Sequence, residues 1–287
     1  MVSIARKTLM ASVALVFAAL VGLFVLFLAA AWLFQERIAF QPERPPFPSD
    51  EGMARVEYTA ADGQRLFAYV VGDPENARGL LLAFHGNADL AVRQVDWAGE
   101  LVHRTQMAVM IVEYRGYMGL GGKPTYETSR LDADAAFRHA TESLRFPHER
   151  IALFGHSLGT AIAAELASRN PPAALVLQSP FTSAHEMSGV IMGLRLSSNA
   201  WNLVSRFHFD TRSRVASLDA PVSVSHGEND RLIPAAMGHS VFGAARVKGA
   251  WFLVPGASHN DVPEVGEELY WTWIVTALEP VWADASH

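Results

Sequence analysis

Six short apolar runs recur along the chain at 80–84, 109–112, 151–154, 174–177, 222–224 and 251–254. Each is too short for a helix and is rich in β-branched or aliphatic residues, with no polar alternation. That is the pattern of a strand buried on both faces. Helix-length segments such as 89–104, 125–144 and 160–169 lie between them. Strand–helix alternation of this kind predicts a mostly parallel sheet with helices on both faces. One departure precedes it: RVEYTAADGQRLFAYVV holds two alternating runs around Asp62-Gly63, an N-terminal hairpin signal. A second interrupts it: 183–209 is long and carries Met187, Val190, Ile191, Leu194, Trp201 and Phe207. The spacing of Met187, Ile191 and Leu194 is helical, which fits either helices packed on the body or a cap over an apolar pocket.

The first residues obey different rules. Residues 9–34 contain no charge at all, a run longer than the roughly 20 apolar residues that cross a bilayer. Ala29-Ala30-Ala31 resembles a signal-peptidase site, but the apolar run exceeds the roughly 7–15 residues of a signal sequence, so an uncleaved single-pass anchor is expected. Arg6 and Lys7 before the span are nearly balanced by Arg37 and Arg44 after it. The reading adopted is a short tail (1–8) on the cytoplasmic side and an extracytoplasmic domain (53–287). Between them 35–52 is rich in proline and reads as a stiff linker with few contacts to the domain. With 287 residues in all, one α/β domain of ordinary size remains after the anchor. A net charge of -6 and the lack of a basic run argue against a nucleic-acid partner. Cysteine is absent, which removes disulfides, thiolate metal sites and a cysteine nucleophile.

Chemistry is concentrated at Gly155-His156-Ser157-Leu158-Gly159, between the fourth-to-last apolar run and an alanine-rich helical segment. A nucleophile elbow needs small residues two before and two after its serine, at a strand-to-helix turn. The bland alternative is a serine that only caps a helix. Partners distinguish them. HGENDRLIP follows the run ending at Val224 and supplies Asp230; PGASHND follows the run ending at Val254 and supplies His259. Ser, then Asp, then His is the chain order of such enzymes, and all three stand at strand carboxyl ends, where α/β sheets bind ligands. His259 would take the Ser157 proton while Asp230 holds its tautomer. Glu228 is the competing acid. Backbone N–H groups of Leu158 and of Asn87, in FHGNADL, would stabilise the oxyanion. Asp261, with Pro263 and Glu264, reads as the cap of the last helix. His156 is expected to pack beside the elbow, and His85 and His226, each before a glycine, to be satisfied, partly buried rings. His103, His139, His185, His208, His239 and His287 show no ligand spacing, so neither metal nor cofactor is expected.

The motifs HGNA, YRGY, GHSLG, SPFTS, HGENDRLIP and GASHND together resemble the membrane-anchored serine hydrolases of the α/β-hydrolase superfamily, near its monoacylglycerol lipase-like and depalmitoylase-like branch. The resemblance spans 55–278 and implies the α/β-hydrolase fold. It implies Ser157, Asp230 and His259 as the triad, Asn87 and Leu158 as the oxyanion pair, and Tyr114 to Tyr117 beside the pocket. The chain departs from that pattern after Tyr117, where it reads MGLGGKP. The activity so implied is cleavage of carboxylic esters or thioesters of small-molecule acyl substrates; the anchor and the apolar insert favour lipid or acylated ones. Two alternatives remain: an aminopeptidase or amidase on the same triad, and a catalytically silent acyl-binding membrane protein.

Overall fold

The computed structural model describes residues 2–193 and 196–283. Leu194, Met1 and the last four residues, His287 among them, lie outside that description. The chain begins with one helix, α1 (Val2–Ala39). Its stretch Met10–Ala30, of mean hydropathy 2.9, is long and apolar enough to cross a membrane, and none of that apolar surface is buried in the protein. A core helix of a soluble domain would be buried, so the domain gives this stretch no reason to be apolar. The helix runs on through the first residues of the segment expected as linker. Gln35 to Ala39 contain no helix breaker, and the Phe40 N–H still donates to Glu36 O at 2.8 Å. The first breaker is Pro42, which also drives the residue before it out of helical geometry.

The remainder of 40–52 lies along the domain instead of standing off it. Phe40 is 2% exposed and its ring lies 5.8 Å from that of Phe207. Glu43 receives both Arg93 nitrogens at 2.6 and 2.8 Å, and Asp50 accepts from the Tyr69 hydroxyl at 2.9 Å. Proline content carries no information about where such a segment docks.

Beyond it the strands are β1 (Arg55–Thr59), β2 (Arg65–Val71), β3 (Leu80–Phe84), β4 (Ala108–Val112), β5 (Ile151–His156), β6 (Ala174–Gln178), β7 (Val222–Gly227) and β8 (Lys248–Val254). They form one sheet in the order β1-β2-β4-β3-β5-β6-β7-β8. β1 and β2 are the expected hairpin, with Thr59 opposite Arg65, and β2 joins β4 antiparallel. From β4 to β8 every pairing is parallel. Each of the six apolar runs falls in one of these strands, and β3 to β6 are buried almost throughout, as strands covered on both faces must be.

The helices are α2 (Val95–Thr105), α3 (Tyr126–Arg138), α4 (Leu158–Ala167), α5 (Ala184–Met192), α6 (Ser198–Val204), α7 (Thr211–Val215), α8 (Ala235–Ala244) and α9 (Val262–Leu278). α2 packs with α9 on one face of the sheet, and α3, α4, α7 and α8 follow one another across the other. Parallel strands all end on the same edge. The loops after β3, β5, β7 and β8 therefore meet there, which is where the site forms.

The insert 183–209 contains α5 and α6, started by Ser183 and Ser197, whose hydroxyls accept from the N–H groups of Glu186 and Ala200. Met187 faces the core, while Val190, Ile191 and Leu203 are exposed. The insert is fastened to the end of α1. Gln35 donates to Val204 O at 3.3 Å and accepts from the Arg206 N–H at 2.7 Å, and the Arg206 guanidinium lies 3.9 Å from the Trp32 ring centre.

Candidate active site

Ser157 sits between the last residue of β5 and the first of α4 with φ 53° and ψ −116°. A side chain in that region is strained, and it persists only where the surroundings determine it. Here they do. The Ser157 N–H donates to Gln178 O at 3.0 Å, and its carbonyl accepts from the Thr160 N–H and hydroxyl at 3.0 and 2.6 Å. The two flanking glycines are a steric necessity. A Cβ at Gly155 would stand 2.4 Å from Gly159 O, and one at Gly159 would stand 2.1 Å from Phe84 O. The hydroxyl itself caps nothing, since α4 starts without a side-chain cap bond.

That hydroxyl is joined instead to His259. His259 Nε2 lies 2.9 Å from Ser157 Oγ, and His259 Nδ1 lies 2.7 Å from Asp230 Oδ2. All three residues are buried, at 7–8% exposure. Asp230 Oδ1 accepts from the N–H groups of Leu232 and Ile233 at 2.9 and 2.8 Å. His226 lies behind it, with Nε2 donating to Ile233 O at 2.9 Å and 3.2 Å from Asp230 Oδ2. Burial pushes the Asp230 pKa up, but the hydrogen bonds from His226 and His259 outweigh it and hold the carboxyl well below the usual carboxylate range. With Nδ1–H directed at Asp230, His259 presents a basic Nε2 to the serine.

The neighbouring candidates separate cleanly. Glu228 is exposed and its carboxylate accepts from the Gly256 N–H at 3.1 Å, away from His259. Asp261 precedes α9 but does not cap it with its side chain. It turns back and accepts from the Ser258 N–H and hydroxyl at 2.6 and 2.8 Å, bracing the loop that carries His259. His156 is half-buried beside the elbow, 3.3 Å from His259 O. Desolvation first, and then the neighbouring His259, bring its pKa down to about 4. It therefore stays neutral at ordinary pH.

Leu158 and Asn87, the residues expected as oxyanion donors, lie on the two stretches beside Ser157. Leu158 opens α4, so its N–H is among those a helix leaves without an internal acceptor. A Cβ on Gly86 would lie 3.4 Å from Ser157 Cβ, which brings the loop with Asn87 against the elbow. Beneath that loop is a pair that the motifs did not announce. His85 Nδ1 donates to Gly86 O at 2.8 Å and Nε2 to Glu113 Oε1 at 3.0 Å, with both side chains fully buried. Glu113 also accepts from the N–H groups of Tyr114 and Ala91 at 3.0 and 3.1 Å. The expectation that His85 is a satisfied ring was right about its bonding and missed its charge partner. Glu113 directly follows the apolar strand β4, and a carboxylate there was the available signal. Farther out, Arg115 of the YRGY stretch bridges Asp132 and, at 2.7 Å, Asp62 of the hairpin turn. Among the described residues no group of histidines and carboxylates could hold a metal ion.

Residues 75–209 match the family model described as serine aminopeptidase, S33. An uncharacterized protein of Mycobacterium tuberculosis is 34% identical over 82% of this chain and 83% of its own length. The human alpha/beta hydrolase domain-containing protein 17B is 30% identical over 72% of this chain and 69% of its own. Among solved structures, an esterase of Pyrococcus furiosus superposes with a TM-score of 0.65 at 17% identity, over 83% of this chain and 96% of that one. The chain belongs to the α/β-hydrolase superfamily, and it is a hydrolase of esterase-like fold.

Proposed function

We propose that the protein is a membrane-anchored serine hydrolase that cleaves carboxylic esters or thioesters of lipid or acylated substrates. The observation that carries this reading is the continuous relay Ser157–His259–Asp230, at 2.9 and 2.7 Å. Ser157 Oγ attacks the acyl carbonyl as His259 Nε2 takes its proton, and the tetrahedral oxyanion faces the N–H groups of Leu158 and Asn87. Collapse expels the alcohol or thiol, which leaves with the proton from His259. Water then repeats the sequence on acyl-Ser157 and releases the acid. Asp230 keeps Nδ1 protonated and stabilises the imidazolium.

The substrate class is supported by the surroundings of the relay. Val190, Ile191 and Leu203 present exposed apolar side chains on an insert fastened to the end of α1. With α1 as an anchor, the site works within reach of a lipid surface. The serine aminopeptidase description of the matching family model favours a second reading, amide cleavage by the same relay. One experiment tests the main reading and separates the two. Wild type is labelled by a fluorophosphonate and hydrolyses p-nitrophenyl esters faster than aminoacyl p-nitroanilides. Ser157→Ala folds, is not labelled and loses at least about 10³-fold in turnover. Wild-type turnover in that folded variant overturns the nucleophile; faster p-nitroanilide cleavage overturns the ester preference.

A further inference from the structure

The segment just past the end of α1 reaches the loop that carries Asn87. The Gln41 N–H donates to Asn87 Oδ1 at 2.8 Å and to the Tyr117 hydroxyl oxygen at 3.1 Å. The Tyr117 hydroxyl donates to the same Asn87 Oδ1 at 2.8 Å, and the Ala88 N–H reaches it at 3.1 Å. One side-chain oxygen thus gathers donors from the end of the membrane helix, from the YRGY stretch and from its own loop. The next residue explains why so many are needed. Ala88 has φ 53°, a conformation that residues with a Cβ avoid and keep only under external restraint.

The restraint is itself held rigidly. Phe40 is buried against Phe207, and its N–H closes the last turn of α1 on Glu36 O. Glu36 is buried and pairs with Arg206 of the insert at 3.2 Å and with Lys123. Lys123 lies in the MGLGGKP stretch, where the chain leaves its family pattern. Gln41 is therefore not the free start of a linker. Its position is set by α1, by the insert and by that loop together.

We propose that Gln41 and Tyr117 are positioning residues for the oxyanion donor: by fixing the Asn87 side chain they set the direction of its backbone N–H, so that the site is complete only while the end of the membrane helix is docked. This rests on the serine-hydrolase reading above. The physical reason is that oxyanion donors act through placement. A donor displaced by a fraction of an ångström still binds substrate but loses much of its hold on the transition state. Burial raises the Tyr117 phenol pKa above its ordinary value, so the hydroxyl remains a donor at any working pH. The consequence differs from simple tethering: hydrolysis of a small water-soluble ester, which needs no bilayer, also depends on the docked helix end.

The test uses the full-length protein in detergent micelles with p-nitrophenyl butyrate. Three variants are compared: Tyr117→Phe, Gln41→Pro, which deletes the N–H, and Gln41→Ala, which keeps it. Each is assayed for kcat, KM and Ki of an alkyl trifluoromethyl ketone, whose adduct with Ser157 Oγ places an oxyanion between the same donors. The expected result for Tyr117→Phe and Gln41→Pro is a fall of about three- to tenfold in kcat, as for one neutral hydrogen bond. KM stays within about twofold, Ki rises in proportion to the loss, and Gln41→Pro loses more than Gln41→Ala. Variants that keep wild-type kcat and Ki, or that change KM alone, overturn the proposal while the hydrolase reading stands. Should Gln41→Pro fail to fold, Tyr117→Phe decides alone. A wild type that no fluorophosphonate labels at Ser157 would remove the hydrolase reading, and this inference with it.

Discussion

Two histidine–carboxylate pairs near Ser157, His259–Asp230 and His85–Glu113, differ in what the far ring nitrogen meets. In His259–Asp230 the second ring nitrogen faces a hydroxyl, Ser157 Oγ, which can give up or take a proton. In His85–Glu113 the second nitrogen faces Gly86 O, a carbonyl that can only accept. Both nitrogens of His85 therefore face acceptors, and neither meets a hydroxyl with which a proton could be exchanged. The pKa shift of His85 agrees. Burial pushes His85 down, but the charge and hydrogen bond of Glu113 outweigh it and leave it above its ordinary value. On the function proposed above, the same residue chemistry serves as a proton relay in one pair and as a strut in the other, according to what the far nitrogen meets.

Substitutions can break this contrast in turn. The largest effect is expected at the relay. Asp230→Asn leaves the His259 ring in place but presents it in the wrong tautomer, and kcat/KM should fall by about 10³–10⁴. A pre-steady-state assay with an activated ester should locate the loss in acylation. A loss of less than tenfold in folded protein would show that Asp230 is not the acid.

At the strut the expected effect is on stability. Glu113→Gln leaves a buried ring without its counter-charge, a loss of about 3–5 kcal/mol when one partner of such a pair is removed. The pair also predicts a pH dependence. Because His85 is raised in the folded state, its contribution is present in full below the ordinary histidine pKa of about 6.5. It is lost as pH rises through the folded value. Denaturant melts from pH 6 to 9 should show that decline in wild type and a flatter profile in Glu113→Gln. Equal slopes would mean that His85 is neutral in the native protein. The smallest effect is expected at Glu228. Among the described residues its exposed carboxylate accepts from the Gly256 N–H alone, so Glu228→Gln should keep activity within about twofold in a p-nitrophenyl ester assay.

What the sequence by itself determined were the features written in local pattern. The apolar runs placed the parallel strands, because strands buried on both faces must be continuously apolar. The uncharged stretch from Leu9 to Phe34 marked the helix that the domain does not bury. Gly155 and Gly159 marked the elbow, because no other residue fits against Gly159 O or Phe84 O. Chain order then brought Ser157, Asp230 and His259 to one sheet edge. Only the tertiary structure decided the rest. Periodicity carries no information about partners dozens of residues apart, so it could not say that Glu113 would meet His85. Nor does a capping pattern say which way the Asp261 side chain turns, and it braces the nearby Ser258 instead of capping α9. The segment after Phe34 misled for the same reason. Its prolines describe a stiff chain, but Phe40 in the core and Gln41 on Asn87 are set by surfaces formed by β3, the YRGY stretch and the insert. Those surfaces exist only after the chain has folded.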